Sequence, residues 1–270
     1  MSQKPLTKNE KALVGLNFLV LATLLGATPF IHPTIWYEPF IEAEKTSLEV
    51  QQGPNNRVFV IDAEIPADYE PLNVVASVDF TGEGFLGEEC GNSHGVMVAN
   101  VIGHETIGVN PNIPIVGVKI FECDIENQTQ GWGFIKAIHW VEENSTAGDI
   151  VNLSLTAVDG RNTIVEETLE RLTEKGITVV SSAGNYAGED ICDKAYGATV
   201  EGAHIISGIQ PKGLIKNNVE KVEDFADGEC VTGYMPGVEV RTYDISGKKR
   251  IVEGTSFSAA FKTGILSIGG

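Results

Sequence analysis

The middle of the chain alternates short apolar strands with helices, and this alternation is the feature that most restricts its fold. Val58–Ile61 is apolar throughout, which is typical of a strand covered on both faces. The elements predicted after it alternate in type: strand Ile113–Phe121, helix Trp132–Glu143, strand Ile150–Leu155, helix Ile164–Lys175 and strand Ile177–Ser182. The pattern predicts βαβ units and therefore an α/β fold in three layers, with a mostly parallel central sheet and helices on both faces.

The helical pattern stops after Asn185. The segments that follow predict a β-rich region, with strands at His204–Ile209, Gly237–Tyr243 and Ile251–Val252. This region leads to Ser256, which begins a run of small and apolar residues at helical spacing. We therefore expect one folded domain over residues 57–270. Residues 32–56 contain three prolines and a glycine, Pro33, Pro39, Pro54 and Gly53, and are interpreted as a linker.

The first 31 residues have the character of an export segment. Three lysines precede a run without charged residues that starts at Ala12. A basic flank before an apolar run predicts that the N-terminus stays inside and the domain is exported. Three interpretations stay open: a signal peptide cleaved after Ala27, a membrane anchor from Ala12 to about Ile31, or a buried helix of the domain.

Composition excludes several classes of function. The chain has 37 acidic and 19 basic residues, a formal net charge of −18, which disfavours electrostatic binding to nucleic acid or to an anionic membrane surface. The four cysteines form no C-x-x-C pair, and the five histidines show no shared ligand spacing, so we expect no metal site. Gly82–Gly87 has the letters of a dinucleotide fingerprint, but no helix follows it and its glutamates would repel a pyrophosphate. No cofactor is expected.

Four polar residues stand at comparable places in the predicted sheet. Asp62 follows a buried strand, His94 opens a helix, Asn185 follows a strand and an Ala-Gly pair, and Ser256 opens another helix. Each one alone is more simply a cap, a turn residue or a structural side chain. Together they supply a nucleophile, a base, an orienting acid and an oxyanion donor.

The motifs around these residues carry a family resemblance. In order, they are Val60-Ile61-Asp62, His94-Gly95, Val151-Asn152-Leu153-Ser154-Leu155, Ser182-Ala183-Gly184-Asn185, Met235-Pro236-Gly237 and Gly254-Thr255-Ser256-Phe257-Ser258-Ala259. With this order and approximate spacing, residues 57–268 resemble the subtilisin-like serine proteases, or subtilases. The resemblance implies a subtilisin-like fold, shortened at its C-terminal end, and an exported serine endopeptidase that acts on polypeptides.

The resemblance also implies a role for each matching residue. Ser256 would be the nucleophile, His94 the general base and Asp62 the acid that orients the imidazole. Asn185 would donate to the oxyanion. Two further sets would bind substrate: Ser154, Leu155 and Thr156 as a pairing strand, and Ser182, Ala183 and Gly184 as a pocket wall.

The chain departs from the family pattern at several of these motifs. Asp62-Ala63-Glu64 replaces the usual Asp-Ser/Thr-Gly, so that Glu64 is expected to raise the His94 pKa. Thr156 and Ala157 stand where relatives commonly have two glycines, which predicts a narrow pocket for small substrate residues. The segment from Ile102 to Gly108 is short where many relatives carry a calcium-binding insertion, so no calcium is expected there.

Other expectations concern the chain as a whole. The short stretch before the domain leaves no room for the usual folding propeptide, so a separate chaperone or inhibitor is considered, and we expect a monomer that is secreted or anchored with its domain outside. The cysteine pairs suggested are Cys90 with Cys123 and Cys192 with Cys230, which suit an oxidising compartment.

The alternative function is a catalytically impaired, peptide-binding or truncated family member. An α/β-hydrolase esterase fits less well because the acid precedes the histidine.

Overall fold

The computed structural model describes residues 35–47, 56–91, 93–123, 131–157, 160–212 and 218–269. From Trp36 onward they belong to one compact unit. The predicted export segment, residues 1–31, lies outside the described residues. Among the helices in the described ranges, none combines the length and the apolarity that crossing a bilayer requires.

A mostly parallel sheet forms the centre of the molecule. Its strands are β1 (Val58–Asp62), β2 (Val74–Asp79), β3 (Ile115–Lys119), β4 (Ile150–Leu153), β5 (Thr178–Ser182), β6 (His204–Pro211), β7 (Val219–Lys221) and β8 (Gly233–Pro236). The order is β2-β3-β1-β4-β5-β6-β7, and β8 also pairs with β6. The strand pairings are parallel apart from the antiparallel pair of β6 and β7. The predicted sheet is therefore confirmed.

Helices cover both faces of the sheet, which confirms the three-layer architecture. Every residue of β1 is buried, as its continuous apolar run predicts. Phe59 and Ile61 lie in the core beneath the helices α3 (Gly131–Asn144) and α4 (Thr163–Glu174). The opposite face carries α2 (His94–Gly103) and α5 (Thr255–Gly269), which pack against each other.

The carboxyl ends of the parallel strands meet at one edge, where open α/β sheets place their sites. β1 ends at Asp62, and Ser154 and Ala183 directly follow β4 and β5. The helices α2 and α5 both begin near this edge. The topology therefore brings together residues that are far apart in the sequence.

The region after Asn185 contains the predicted strands. β6 belongs to the central sheet, and β9 (Val240–Tyr243) pairs with β10 (Lys249–Val252) in a separate antiparallel ribbon that leads into α5. The sequence reasoning missed β2, whose residues are mostly half-buried rather than continuously apolar.

The interpretation of residues 32–56 as a linker is wrong for part of that range. Residues Glu38–Ser47 form the helix α1, which packs on α5. Tyr37 is buried, its ring centroid lies 5.0 Å from that of Phe261, and its hydroxyl accepts a hydrogen bond from the Arg241 amide at 3.1 Å. Trp36 Nε1 donates to the Val238 carbonyl at 3.0 Å. These aromatic contacts with distant residues make the segment part of the domain.

Candidate active site

Asp62 and His94 form a close pair at the carboxyl edge of the sheet. The Asp62 side chain is fully buried, and its Oδ1 and Oδ2 lie 2.8 and 2.9 Å from His94 Nδ1. Helix α2 approaches β1 closely enough that a Cβ at Gly95 would collide with the Ala63 carbonyl. The contact orients the imidazole so that Nε2 is the nitrogen left for other partners.

The electrostatics of this pair raise the pKa of His94. Partial burial alone would lower it, because a half-buried imidazolium loses part of its hydration, but the charge of Asp62 and its hydrogen bond outweigh that effect. The net result is a pKa above the ordinary value of 6.5.

Ser256 lies in the first turn of α5 and is buried. Its hydroxyl donates to the Ser154 carbonyl at 3.2 Å, and the Ser154 hydroxyl donates in return to the Ser256 carbonyl at 3.0 Å. A serine hydroxyl has one proton to donate, so in this conformation it is not given to His94. The ring of Phe257, the next residue, lies 5.7 Å from the His94 ring.

Asn185 is held by Thr255, the residue before Ser256. The Thr255 amide and hydroxyl both donate to Asn185 Oδ1, at 2.9 and 3.1 Å. The Thr255 hydroxyl in turn accepts from the Gly184 amide at 2.9 Å. Because the amide oxygen is occupied in this way, the Nδ2 group of Asn185 is the end left to bind a ligand. The sequence does not predict that Thr255 holds Asn185. The available signal is its position directly before Ser256, which places its hydroxyl next to the predicted nucleophile.

Most of the predicted site residues line one cleft of about 720 Å³. Of the predicted residues, those that line it are Asp62, His94, Ser154, Leu155, Thr156, Ser182, Gly184, Asn185, Ser256 and both cysteines of the first suggested pair, Cys90 and Cys123. Ala183, Cys192 and Cys230 are not among its lining residues in the described ranges; Ala183 is fully buried in a core cluster with Ile191 and Ile205. The Ala183 side chain therefore lies in the core, and its role in the pocket wall stays a prediction.

Thr156 lies beside Gly184 in the cleft lining. The Thr156 Cγ2 atom lies 3.3 Å from the place that a Cβ at Gly184 would occupy. Gly184 has a φ of +109°, which non-glycine residues rarely adopt. Ala157 is buried, and its amide donates to the Lys194 carbonyl at 2.9 Å.

Glu64 does not act on His94 as the sequence suggested. It is fully buried, and its carboxylate contacts Lys119 Nζ at 3.1 Å and accepts from the Leu86 amide at 2.8 Å. The rise in the His94 pKa comes from Asp62. Lys119 was missed, although a lysine inside an apolar strand was a visible signal that a buried acid lies nearby.

Lys119 is the centre of a buried charged cluster. Its ammonium group also contacts Glu83 at 2.7 Å and the Gly84 carbonyl at 2.7 Å. Burial would lower the pKa of Lys119, but its hydrogen bonds to Glu83 and Glu64 raise it above its usual 10.5. The same contact with Lys119 lowers the pKa of Glu83. Lys119 and Glu83 therefore keep their charges at neutral pH.

The described part of the chain contains two disulfides, and the cysteines of one of them line the cleft. Cys90 is joined to Cys123, and Cys192 is joined to Cys230. The first bond ties the short helical turn before His94 to the residues after β3. Glu64 lies near Cys90 and Cys123, but both sulfurs are consumed by the bond and cannot ligate a metal as thiolates.

Comparison with known proteins supports the resemblance. A family model described as the subtilase family matches residues 87–268, about two thirds of the chain. Asp62 lies before the matched residues, so its place in the site rests on geometry.

Individual relatives agree with this match. A subtilase-type proteinase of Saccharomyces cerevisiae is 29% identical over 228 residues, covering 80% of this chain and 44% of the relative. An extracellular serine proteinase of a Thermus species is 24% identical over 221 residues, covering 80% of this chain and 50% of the relative. The chain thus spans about half the length of these relatives.

A solved structure shares the fold. The crystal structure of a cold adapted subtilisin-like serine proteinase superposes with a TM-score of 0.66 at 24% identity, covering 77% of this chain and 72% of the other. At this level of identity, the likeness establishes the fold alone.

Proposed function

The chain belongs to the subtilase family, and from this premise we propose that it is a serine endopeptidase acting through Asp62, His94 and Ser256. The observation that carries the proposal is the double contact between the buried Asp62 carboxylate and His94 Nδ1, in a cleft that Ser256 also lines. A buried acid that fixes one imidazole nitrogen leaves the other available as a base toward a hydroxyl.

The proposed reaction begins when the Ser256 side chain exchanges the Ser154 carbonyl for His94 Nε2. The oxygen of Ser256 attacks the scissile carbonyl carbon while His94 accepts the hydroxyl proton. The tetrahedral intermediate then collapses, the C–N bond breaks, and His94 delivers its proton to the leaving amine. Water, activated by His94, hydrolyses the acyl-enzyme and restores the serine. Asp62 stabilises the imidazolium and stays ionised throughout.

The oxyanion of each intermediate would be held by Asn185 Nδ2 and the Ser256 amide. The bonds from Thr255 to Asn185 Oδ1 support this role, because they direct the amide NH₂ of Asn185 away from Thr255. The first-turn position of Ser256 adds an unpaired N–H and the positive end of a helix dipole.

Substrate would bind as an extended strand beside Ser154, Leu155 and Thr156. The close approach of Thr156 to Gly184 supports a preference for small side chains at the residue whose carbonyl is attacked.

We place the activity outside the cytoplasm. The two disulfides suit an oxidising compartment, and the Thermus relative is named an extracellular proteinase. The basic and apolar N-terminal segment adds the export signal, either cleaved or kept as an anchor. The protein would act as a monomer, with a separate chaperone or inhibitor as a candidate partner.

One observation favours a second candidate function. The Ser256 hydroxyl is bound to Ser154 rather than to His94, which suits a peptide-binding family member with impaired turnover. In that case, the cleft would hold an extended peptide without forming an acyl-enzyme.

Covalent labelling of the full chain with a fluorophosphonate separates the two candidates. We expect wild type to label, and Ser256→Ala and His94→Ala to lose labelling. Ser258→Ala is the matched control: its hydroxyl is buried in the same helix and donates to Pro236 at 3.2 Å, away from the cleft lining. It should label like wild type. A folded wild type that binds peptides without labelling would replace the peptidase proposal with the binding one.

A further inference from the structure

A line of neutral hydrogen bonds runs from the interior of α5 to the residue proposed as nucleophile. The Thr263 hydroxyl donates to Asn152 Oδ1 at 2.8 Å, and Asn152 Nδ2 donates to the Ser154 hydroxyl at 2.9 Å. Ser154 donates onward to the Ser256 carbonyl at 3.0 Å. Each group in the line therefore fixes the direction of the next bond.

The line joins one helix to one strand at two points. Thr263 and Ser256 are separated by about two turns of α5, so they lie on the same face of the helix. Asn152 lies in β4, and Ser154 follows two residues later along the same extended direction, so both point to the same side of the sheet. The hydrogen bonds of Thr263 with Asn152 and of Ser154 with Ser256 together restrict both translation and rotation of α5 relative to β4.

Burial makes the line sensitive to the loss of a single member. Thr263 and Asn152 are fully excluded from solvent, so no bulk water can replace a missing bond. Without the Thr263 hydroxyl, the Asn152 amide oxygen would lack this partner and the amide would be free to turn. Ser154 would then lose the donor that orients its hydroxyl toward Ser256.

We propose that Thr263 is a positioning residue for Ser256, acting through Asn152 and Ser154. It does not touch substrate, and the inference rests on the proposed peptidase function. By setting the rotation of α5, it would place the oxygen and the amide of Ser256 against the carbonyl to be attacked. A loss of this alignment would slow the chemical step and leave substrate binding nearly unchanged.

The test compares Thr263→Val, Thr263→Ser and wild type in kcat, KM and the rate of fluorophosphonate labelling. Valine keeps the volume and removes the donor, so we expect kcat and the labelling rate to fall about tenfold with KM unchanged. Serine keeps the hydroxyl and should retain most of the activity. Thr168→Val is the matched control: Thr168 is also fully buried, but its hydroxyl donates at 2.7 Å to Ile164 within α4.

A double-mutant cycle with Asn152→Ala tests the route. If Thr263 acts through Asn152, the two effects on kcat are not additive. Additive effects, or a Thr263→Val kcat within twofold of both wild type and Thr168→Val, would overturn the inference. Should Thr263→Val not fold, Thr263→Cys replaces it, because a thiol is a weaker donor than a hydroxyl; equal kcat in the Ser and Cys variants would also overturn it.

The labelling rate separates this inference from the function on which it rests. A folded wild type that does not label rejects both. A wild type that labels, with Thr263→Val labelling equally fast, rejects the positioning role alone.

Discussion

The two sides of the cleft are held in place by different kinds of interaction. The side that carries His94 depends on charge: Asp62, Glu64 and Lys119 are all fully buried, and a disulfide closes the adjoining turn. The side that carries Ser256 depends on neutral groups. There, Thr255 binds Asn185, and Thr263 binds Asn152.

The two sides differ in the free-energy cost of removing one group. A buried charge that loses its partner retains the full cost of its desolvation, whereas a buried hydroxyl or amide left alone costs less. Charged groups also titrate, and neutral ones do not. The histidine side should therefore respond strongly to pH and to single charge changes, and the serine side mainly to geometry.

The largest expected effect comes from Asp62→Asn. The amide cannot stabilise an imidazolium, so kcat should fall by about 10⁴. In wild type, kcat/KM should rise with pH through a His94 pKa above 6.5, because only the neutral imidazole accepts the serine proton. Without the Asp62 charge, burial lowers that pKa, and the acid limb of the pH profile should move to lower pH.

Asn185→Ala is the matched change on the neutral side. Loss of one oxyanion donor should lower kcat by about 10²–10³. The acid limb of the pH profile should stay at the same pH as in wild type. An acid limb that moves in Asn185→Ala, or stays in place in Asp62→Asn, would contradict the contrast between the two sides.

The second prediction concerns the stability of the charged cluster. Lys119→Met removes the cation that neutralises the buried Glu64, and we expect a loss of about 3–5 kcal/mol in the free energy of unfolding. Urea denaturation with the disulfides intact measures it. Ser258→Ala, which removes a buried neutral donor, should cost only about 1 kcal/mol.

The double variant Lys119→Met with Glu64→Gln distinguishes an unpaired charge from a packing defect. With both charges removed, much of the lost stability should return, because no carboxylate is left without a cation. A double variant as unstable as Lys119→Met would indicate that packing around residue 119 causes the loss.

The parts of the molecule that the sequence predicts are those set by local pattern. Continuous apolar runs predict the buried strands, and the carboxyl edge of a parallel sheet explains why Asp62 and Asn185, which follow two of its strands, line the same cleft. Their catalytic roles remain proposals. The motif order made the family recognisable before any geometry was known.

The parts that the sequence did not predict depend on contacts between distant residues. Lys119 meets Glu64 across 55 positions, and Thr263 meets Asn152 across 111. Neither pair leaves a periodic signal. Helix α1 was missed for a similar reason: prolines and polar residues indicate a linker, whereas contacts with distant residues, such as those of Tyr37 with Phe261 and Arg241, make it part of the fold.

The third prediction, which has the smallest expected effect, compares the two disulfides. Their loops span 33 and 38 residues, so replacing either cysteine pair by alanine should cost a similar 2–4 kcal/mol in the free energy of unfolding. Activity should separate them. Cys90 and Cys123 line the cleft, and Cys90 packs against Val96 in the helix that begins at His94. Their loss should lower kcat about tenfold by loosening that helix start.

Cys192 and Cys230 are not among the residues that line the cleft in the described part of the chain, so their replacement should leave kcat within a few-fold of wild type. The kcat values of the two variants are compared at a temperature at which both are folded. Equal losses of kcat would mean that overall stability governs the site. A loss of kcat confined to the variant without Cys90 and Cys123 would mean that this bond positions His94. The charged cluster around Lys119 would have the corresponding role for the turn that follows Asp62.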